Sequence, residues 1–247
     1  MTDVNVHCSL PTPCPRLRVV AVVLAAGTAS RMGGRPKCLL QRDGQSLLAR
    51  LLHNLQNAGI NETVLVLGHN ADRIEASLRQ SGWALDTASK GCDMPVHRVL
   101  NPQPSDGQNS SLHVGLAKAQ SLTPQWLMVA LADQPLLEAQ DLRDLMAAVK
   151  HSPHTTQFLQ PLVKGQPGNP VMLSAQVMQD LLQSGAHQAA QALPGGKAWR
   201  QQHPEQALLW PTPNTHYCVD MDSPDDMTRL AQLHGIQLEW GSPAEQG

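Results

Sequence analysis

The feature that most constrains the fold is an unbroken aliphatic run over residues 19–24, VVAVVL, which ends in a loop of small residues. A run without polar alternation is typical of a strand that is buried on both faces of a parallel sheet. The next residues, 25–30, are small, so a ligand can approach their backbone closely. Two cations follow, Arg31 and Lys37, on either side of the pair Gly33 and Gly34. This order predicts a loop that binds a polyphosphate at the carboxyl edge of a sheet.

The predicted loop differs from two well-known phosphate-binding loops. A Walker loop needs GxxxxGK followed by Ser or Thr, whereas Lys37 is followed by Cys38. A dinucleotide-binding loop needs GxGxxG, whereas Gly27 is followed by the residues TAS. The alternative interpretation is a buried strand followed by an ordinary glycine turn with two solvated cations.

The composition narrows the class of protein. The 247 residues carry a net charge of −2, which argues against a general nucleic-acid binder with a basic face. No apolar run approaches the roughly 20 residues of a membrane span. The five cysteines are scattered without a CxxC pair, which indicates reduced thiols and neither a disulfide framework nor a zinc site. Residues 1–17 lack the pattern of a signal peptide and are interpreted as a loose leader, so we expect a cytoplasmic protein.

Strands and helices alternate along the first part of the chain. Buried strands are predicted over residues 19–24, 63–67, 96–100 and 126–131. Helices are predicted over residues 47–58, between Ser46 and Gly59, over 72–79, from about 107 and over 136–149. This alternation with short connections predicts an α/β protein with a three-layer, doubly wound and mostly parallel sheet, as in Rossmann-like folds.

The last third of the chain has a different pattern. Short strands are predicted over residues 158–163, 170–173, 207–210 and 217–221. Helices are predicted from Ser174 and from Ser223 to about His234. With no long linker in the sequence, we expect a single domain over residues 18–236 and a frayed tail over residues 237–247.

Polar residues lie where two of the predicted elements meet the sheet edge. Ser110 and Ser111 open a helix after a Gly-Asn-rich loop, a place that suits an anion or the base and ribose of a nucleotide. The alternative is that Asn109 or Ser110 only caps the helix. Asp133 follows a buried strand, where α/β enzymes hold Mg²⁺, although it could instead cap the next helix.

Two further carboxylates, Asp220 and Asp222, end a predicted strand. Strand alternation sends both to one face, with Met221 opposite. Arg31 and Lys37, together with a Mg²⁺ ion held by these carboxylates, would supply the charge neutralisation that phosphoryl and nucleotidyl transfer require.

Five motifs carry a resemblance to a known family. The stretch LAAGTASRMGGRPKCLL resembles the signature of the MobA-like NTP transferase superfamily. The resemblance continues in the same order through DGQNSSLHVGL, LADQPLL, QPGNPVML and VDMDSPDDM, and it covers roughly residues 18–234. Within the superfamily the chain is most similar to the molybdenum cofactor cytidylyltransferases, because it has LAAG where guanylyl relatives show LAGG.

The resemblance implies a nucleotidyltransferase fold and a role for each matching residue. Residues 18–150 would bind the nucleotide and residues 151–236 the acceptor. The catalytic residues would be Arg31, Lys37 and Asp133, and Mg²⁺ would be held by Asp133 with Asp220 or Asp222. The nucleotide would contact Leu24, Ala25, Ala26, Gly27, Gly33, Ser110 and Ser111, and the acceptor would contact Gly168, Asn169 and Pro170.

The implied reaction transfers CMP from CTP to the phosphate of molybdopterin and releases pyrophosphate. A molybdoenzyme or its chaperone would be the protein partner, with no nucleic acid or membrane involved. The family usually shows GHP where this chain has Gly168-Asn169-Pro170, and Lys37 follows Arg31 at a spacing closer to the guanylyl branch. Open alternatives are therefore guanylyl transfer to the same cofactor, a sugar or alditol phosphate as acceptor, and a non-catalytic carrier of the cofactor. An NAD-dependent oxidoreductase is disfavoured because the GxGxxG loop is missing.

Overall fold

The computed structural model of the chain describes residues 17–27, 32–86, 94–185 and 193–241. Within these ranges the strands are β1 (Val19–Ala25), β2 (Leu40–Arg42), β3 (Gln45–Ser46), β4 (Glu62–Leu67), β5 (Val96–Leu100), β6 (Trp126–Leu131), β7 (Phe158–Val163), β8 (Gln166–Pro167), β9 (Val171–Ser174), β10 (Ala207–Pro211) and β11 (Glu239–Trp240). The helices are α1 (Leu47–Ala58), α2 (Ala71–Gln80), α3 (Gln108–Gln120), α4 (Ala139–His151), α5 (Ala175–Gly185), α6 (Gly196–Gln202) and α7 (Pro224–His234).

The central sheet has the strand order β10-β7-β9-β6-β1-β4-β5, and β8 pairs with β7. The aliphatic strand β1 lies in its interior and pairs in parallel with both β4 and β6. The pairs β4–β5 and β7–β10 are also parallel, whereas β9 runs antiparallel to both of its neighbours. The predicted mostly parallel α/β sheet is therefore confirmed.

Helices cover both faces of this sheet. The side chains of β1 therefore point alternately into two apolar cores, one on each face. Val19, Ala21 and Val23 join a core that includes buried residues of α1, α2 and α4. Val20 and Val22 join a second core with buried residues of α3, α5 and α6. A strand that supplies both cores has no polar face, which explains its continuous aliphatic sequence and confirms the predicted three layers.

Side-chain caps fix the helix ends near the sheet edge. The Ser46 hydroxyl accepts a hydrogen bond from the Ala49 backbone N–H at the start of α1, and Gly59 ends that helix at a φ of 88°. The start of α7 is a capping box between Ser223 and Asp226. Both helices begin and end where the sequence predicts.

A third, smaller apolar cluster lies apart from the two main cores. We call it the support cluster; its buried members are Met32, Leu40, Leu47, Leu136, Met221, Leu230 and Leu238. A small antiparallel sheet in the order β11-β2-β3 contributes two of these residues, Leu40 and, just before β11, Leu238. The cluster thus joins the end of the described chain to the segment that follows the glycine loop.

Two predictions about the last part of the chain are wrong. Residues 217–221 form no strand. Thr215–Cys218 is a 3-10 turn, and residues 219–221 pair with no other strand. Met221 is nevertheless buried, and its backbone N–H donates to the Asp133 carbonyl at 3.0 Å. The tail predicted from residue 237 is wrong over residues 237–241, because Trp240 pairs with Leu40 and Leu238 is buried. Residues 1–16 and 242–247 lie outside the described part of the chain.

The helices of the described ranges are too short or too polar to cross a membrane. Strands from both sides of residue 150 share the central sheet, as the pairing of β6 with β9 shows. The division of the chain into a nucleotide-binding and an acceptor-binding part stays a prediction.

Candidate active site

A cavity of about 540 Å³ opens at the carboxyl ends of β1 and β6. Nine residues that the sequence singles out line it: Leu24, Ala25, Ala26, Gly27, Lys37, Ser111, Asp133, Asp220 and Asp222. They come from five separate stretches of the chain, which the fold brings to one edge of the sheet.

Other predicted site residues lie elsewhere. Gly33, Ser110 and the stretch Gly168-Asn169-Pro170 do not line this cavity. Arg31 lies outside the described residues, as does the loop segment 28–30 just before it. Their roles stay predictions.

The only charged side chains among the described residues that line the cavity are one ammonium group and three carboxylates. Lys37 Nζ lies 2.5 Å from Asp222 Oδ1 and 3.8 Å from Asp133 Oδ2. The side chains of Lys37 and Asp133 are only 20% and 25% exposed, so their charges are weakly screened by water. Lys37 opens the 3-10 turn Lys37–Leu39, which leads directly into β2.

Asp133 lacks part of the solvation that a carboxylate needs. Its Oδ1 atom is buried and has no hydrogen-bond partner among the described residues. Burial raises the pKa of Asp133 to about 6; the nearby Lys37 ammonium opposes this rise, and the Asp220 and Asp222 carboxylates add to it. Burial, with Asp222 adding, also raises the pKa of Asp220. The site thus concentrates negative charge that one lysine only partly balances.

The cavity also contains a cysteine that is not suited to nucleophilic chemistry. Burial, with a further contribution from Asp133, raises the pKa of Cys38 to about 12. The side chain therefore remains a protonated thiol near neutral pH.

The donor set fits Mg²⁺ better than a softer metal. Within the described ranges, no group of three or more His, Cys, Asp or Glu side chains is arranged to enclose a metal ion. Mg²⁺ is commonly held by one or two carboxylates together with phosphate oxygens of the substrate and water. The unpartnered Oδ1 of Asp133, with Asp220 or Asp222 on the same cavity wall, meets that requirement.

The start of α3 also lines the cavity. The residue before the helix is Gly107, with φ 96° and ψ −178°, so the prediction that Asn109 or Ser110 caps the helix is wrong. The Asn101 amide donates to the hydroxyls of Ser110 and Ser111, at 3.1 and 3.0 Å. Ser110 is thus held within the loop structure, and only Ser111 of the pair lines the cavity.

Several cavity residues were not found from the sequence. They belong to the turn before β2, to the loop before α3 and to the first residue of α3: Pro36, Cys38, Pro104, Ser105, Gly107 and Gln108. Pro104 is held against β1 because Gly68 has no side chain; a Cβ there would lie 2.6 Å from the Ala26 carbonyl and 2.9 Å from Pro104 Cβ. The Gly-Asn-rich motif predicted contacts at Ser110 and Ser111 but not at the residues just before them.

The predicted acceptor loop is tied to the residue that follows Asp133. The Gln134 side-chain amide donates to the carbonyls of Asn169 and Tyr217, each at 3.2 Å. The Asn169 backbone N–H also donates to the Tyr217 carbonyl, at 2.8 Å. Gly168 is required there, since a Cβ would lie 2.7 Å from that same carbonyl oxygen. Gln134, which the sequence did not single out, thus links the acceptor loop to Asp133.

Asp133 is not a helix cap, so this alternative from the sequence is wrong. The helix α4 begins after Glu138, whose side chain forms a capping box with Asp141. Asp133 instead lies in the turn after β6, at the edge of the cavity.

A mostly parallel α/β sheet with a lysine and three carboxylates at its carboxyl edge is typical of proteins that bind a phosphorylated ligand at that edge. The profile of the MobA-like NTP transferase domain matches residues 21–206. The chain therefore belongs to the MobA-like NTP transferase family, a family of nucleotidyltransferases.

Two characterised proteins and one solved structure illustrate the relationship. Nicotine blue oxidoreductase from Paenarthrobacter nicotinovorans is 33% identical over 141 residues, which cover 57% of this chain and 59% of that protein. CMP-5'-(3-aminopropyl)phosphonate synthase from Streptomyces rubellomurinus is 40% identical over 95 residues, 37% of this chain and 14% of that protein. The chain thus matches less than two thirds of the length of either relative.

The solved structure is a nucleotidyl transferase from Methanothermobacter thermautotroptrophicus. It superposes with a TM-score of 0.64 at 21% identity and covers 87% of this chain and 96% of that chain. At this identity the likeness shows the fold alone.

Proposed function

We propose that the protein is a Mg²⁺-dependent cytidylyltransferase that transfers CMP from CTP to the phosphate of a molybdopterin-type acceptor. An oxygen of the acceptor phosphate forms a bond to the α-phosphorus of CTP. The bond between that phosphorus and the oxygen bridging to the β-phosphate breaks, and pyrophosphate leaves.

The observation that carries the proposal is the pairing of Lys37 with carboxylates in the cavity. The ammonium group lies within 4 Å of both Asp133 and Asp222, in a place shielded from water. This group can exchange its contact with Asp222, whose side chain is 54% exposed, for a contact with a phosphate oxygen. Because the pair is partly dehydrated, the lysine would stabilise charge that develops on the α-phosphate.

The carboxylates supply the complementary part of the site. Asp133, with Asp220 or Asp222, would hold Mg²⁺, which when bound neutralises charge on the phosphate oxygens. The small residues 24–27 at the end of β1 let the triphosphate approach the backbone. Ser111 and the residues before α3 would contact the ribose and base, and Arg31 the β- and γ-phosphates. Gln134 would orient the acceptor loop beside Asp133.

The choice of nucleotide and acceptor rests on weaker support. The sequence LAAG favours the cytidylyl branch, and one relative bears the name of a CMP-conjugate synthase. The stretch Gly168-Asn169-Pro170 departs from the usual GHP of the family, so guanylyl transfer or a sugar or alditol phosphate acceptor is the alternative within the same chemistry. A molybdoenzyme or its chaperone would receive the product.

The experiment is to measure pyrophosphate release from CTP, GTP, ATP and UTP, with Mg²⁺ and purified molybdopterin. We expect turnover with CTP and formation of a cytosine dinucleotide of the pterin. Turnover with GTP would move the protein to the guanylyl branch. If the protein bound a nucleotide but released no pyrophosphate with any acceptor, sugar phosphates included, the enzymatic proposal would be contradicted and a carrier favoured.

Matched variants separate the site from the rest of the surface. We expect Lys37→Ala and Asp133→Asn each to lower kcat/KM by at least about 10²-fold, as expected for a lost charge contact in the transition state. Lys150→Ala removes an exposed cation at the end of α4, outside the cavity, and should leave turnover unchanged. Equal activity of Lys37→Ala and Lys150→Ala would contradict the assigned role of Lys37.

A redox activity is the second candidate, favoured only by the 33% identity to a protein named an oxidoreductase. The test is the oxidation of NADH or NADPH by the protein in the presence of a quinonoid dye. Dye reduction that survives Asp133→Asn and needs no nucleoside triphosphate would favour this candidate over nucleotidyl transfer.

A further inference from the structure

We propose that Trp240, on the last described strand, is a positioning residue that holds the Lys37 segment in place. The inference rests on the proposed role of Lys37 in nucleotidyl transfer. It concerns the part of the chain for which the sequence predicted only a frayed tail.

The first contact is between two side chains outside the cavity lining. The Arg35 guanidinium lies over the Trp240 ring, 5.4 Å from its centroid, in a cation–π arrangement. Arg35 is exposed and two residues before Lys37, yet it does not line the cavity. Its charge is therefore directed to the tryptophan and not to the place proposed for the phosphates.

The second contact is through the backbone. Trp240 pairs with Leu40 in the antiparallel ladder of β11 and β2. Leu40 immediately follows the 3-10 turn that Lys37 opens. Trp240 thus contacts the chain on both sides of Lys37, through Arg35 before it and Leu40 after it.

The third contact is with the support cluster. Trp240 packs against this cluster, which contains Met32 and Leu40 from either side of Lys37. The same cluster buries Met221, which lies between Asp220 and Asp222. The distance from the lysine to the carboxylates is therefore set by a cluster that the end of the chain completes.

This arrangement makes the catalytic geometry depend on Trp240. A shift of about 1 Å in a positioning group can lower a rate by up to about 10²-fold. Loss of the ring removes the Arg35 contact and loosens the packing around Leu40, so Lys37 would sample positions away from Asp133. Because β11 lies outside the cavity lining, we expect little change in the KM for the acceptor.

The kinetic test compares Trp240→Ala, Trp240→Phe and Arg35→Ala with a matched control, Glu239→Ala. Glu239 is exposed on the same strand and lies opposite Gln41 in the ladder. We expect kcat to fall about 10-fold in Trp240→Ala and in Arg35→Ala, to recover largely in Trp240→Phe and to stay unchanged in Glu239→Ala. The double variant Arg35→Ala/Trp240→Ala should be no slower than Trp240→Ala, because the two residues act through one contact.

A structural readout keeps the inference testable whether or not the protein is a cytidylyltransferase. Backbone amide exchange over residues 32–42 should be faster in Trp240→Ala and Arg35→Ala than in the wild type and in Glu239→Ala. Trypsin should also cleave after Lys37 faster in those two variants, while the Arg35–Pro36 bond resists it. If the wild type released no pyrophosphate, the proposed function would fail while these measurements still decided the role of Trp240.

Two results would overturn the inference. One is amide exchange over residues 32–42 that is the same in Trp240→Ala, Arg35→Ala and Glu239→Ala. The other is a fold-loss of kcat in the double variant that equals the product of the fold-losses in the two single variants. That result would show that Arg35 and Trp240 act independently. Since Arg35 is exposed, Arg35→Ala should fold even if Trp240→Ala does not.

Discussion

The Asp133 carboxylate is placed for the candidate site in a way that lowers the stability of the folded protein. Its carboxylate is one quarter exposed, and one of its oxygens has no hydrogen-bond partner among the described residues. Burial raises its pKa to about 6, against the Lys37 ammonium and with the help of Asp220 and Asp222. At neutral pH the folded protein must therefore keep an ionised group that it solvates poorly. A bound cation would remove this penalty.

We predict that Asp133→Asn stabilises the ligand-free protein at pH 7 while it abolishes turnover. One pKa unit corresponds to about 1.4 kcal/mol, so after allowance for partial exposure we expect a gain of about 1–2 kcal/mol in the free energy of unfolding. The raised pKa means that the folded state binds the proton more tightly than the unfolded state. The contribution of Asp133 to the stability of the wild type should thus fall as the pH rises from about 4 to about 6, and the gain in the variant should appear over the same window.

Urea unfolding of both proteins between pH 4 and pH 8 checks this prediction. A variant that is less stable than the wild type at pH 7 would contradict the assigned burial of the charge. Glu239→Asn, at an exposed position outside the cavity, is the control for the loss of one negative charge.

At the residue scale the sequence identified the charged groups well but not their neighbours. Lys37 and Asp133 could be found because charged residues in the segments after buried strands have few structural reasons to be there. Asp220 and Asp222 also line the cavity, although the strand predicted before them does not form. Gln134 could not, because its amide acts on two distant carbonyls that no local pattern brings together. Ser110 and Ser111 are neighbours in the sequence and both accept a hydrogen bond from Asn101, yet only Ser111 lines the cavity, a difference that the sequence does not show.

At the scale of elements, the strength of the apolar pattern decided which predictions succeeded. β6 matches its predicted residues because all six are apolar and the middle four are buried. The short strands β2, β3 and β11 were missed, since two or three residues give no periodicity. Residues 217–221 alternate like a strand, but Met221 is buried by the support cluster and not by a sheet. A segment whose alternate side chains are buried outside a sheet has the same sequence pattern as a strand.

The start of α7 connects an element to the site. The Asp226 carboxylate accepts hydrogen bonds from the backbone N–H groups of Asp222 and Ser223 and from the Ser223 hydroxyl, at 2.8–3.0 Å. The capping box thus fixes both the helix and the backbone that carries Asp222. The position of Asp222 depends on how this helix begins.

We predict that Asp226→Ala lowers the free energy of unfolding by about 1–2 kcal/mol, as the loss of a helix cap does. It should also lower kcat, because the Asp222 backbone loses its acceptor. Asp225→Ala changes the exposed neighbour in the same first turn and is the matched control, for which we expect near wild-type values. Denaturant unfolding and pyrophosphate release measure the two effects. Equal losses in both variants would show that the capping box has no special role.

At the scale of the molecule, the two main cores and the support cluster have different tasks. The two cores hold the sheet between its helices, whereas the support cluster joins the segment of Lys37 to the segment of Asp220 and Asp222. Ligand binding at the cavity would therefore bridge the same segments that the support cluster joins. Its effect should extend to the stability of the whole protein.

We predict that CTP with Mg²⁺ raises the thermal midpoint of the wild type. A ligand at 100 times its Kd adds about 2.7 kcal/mol to the free energy of unfolding. Cytidine without phosphates should give little shift, and Lys37→Ala should lose most of the shift with CTP. Thermal unfolding with each nucleotide checks this. A full shift in Lys37→Ala would mean that the triphosphate does not bind at this cavity.

The pairing of β11 with β2 also has a consequence for how the protein becomes active in time. During synthesis the segment that carries Lys37 leaves the ribosome early, and the main sheet can begin to form around β1 as later strands arrive. Leu238 and Trp240 are among the last described residues, and the support cluster is incomplete until they are made. We therefore expect a chain made only as far as α7 to hold its charged residues without the contacts that position them.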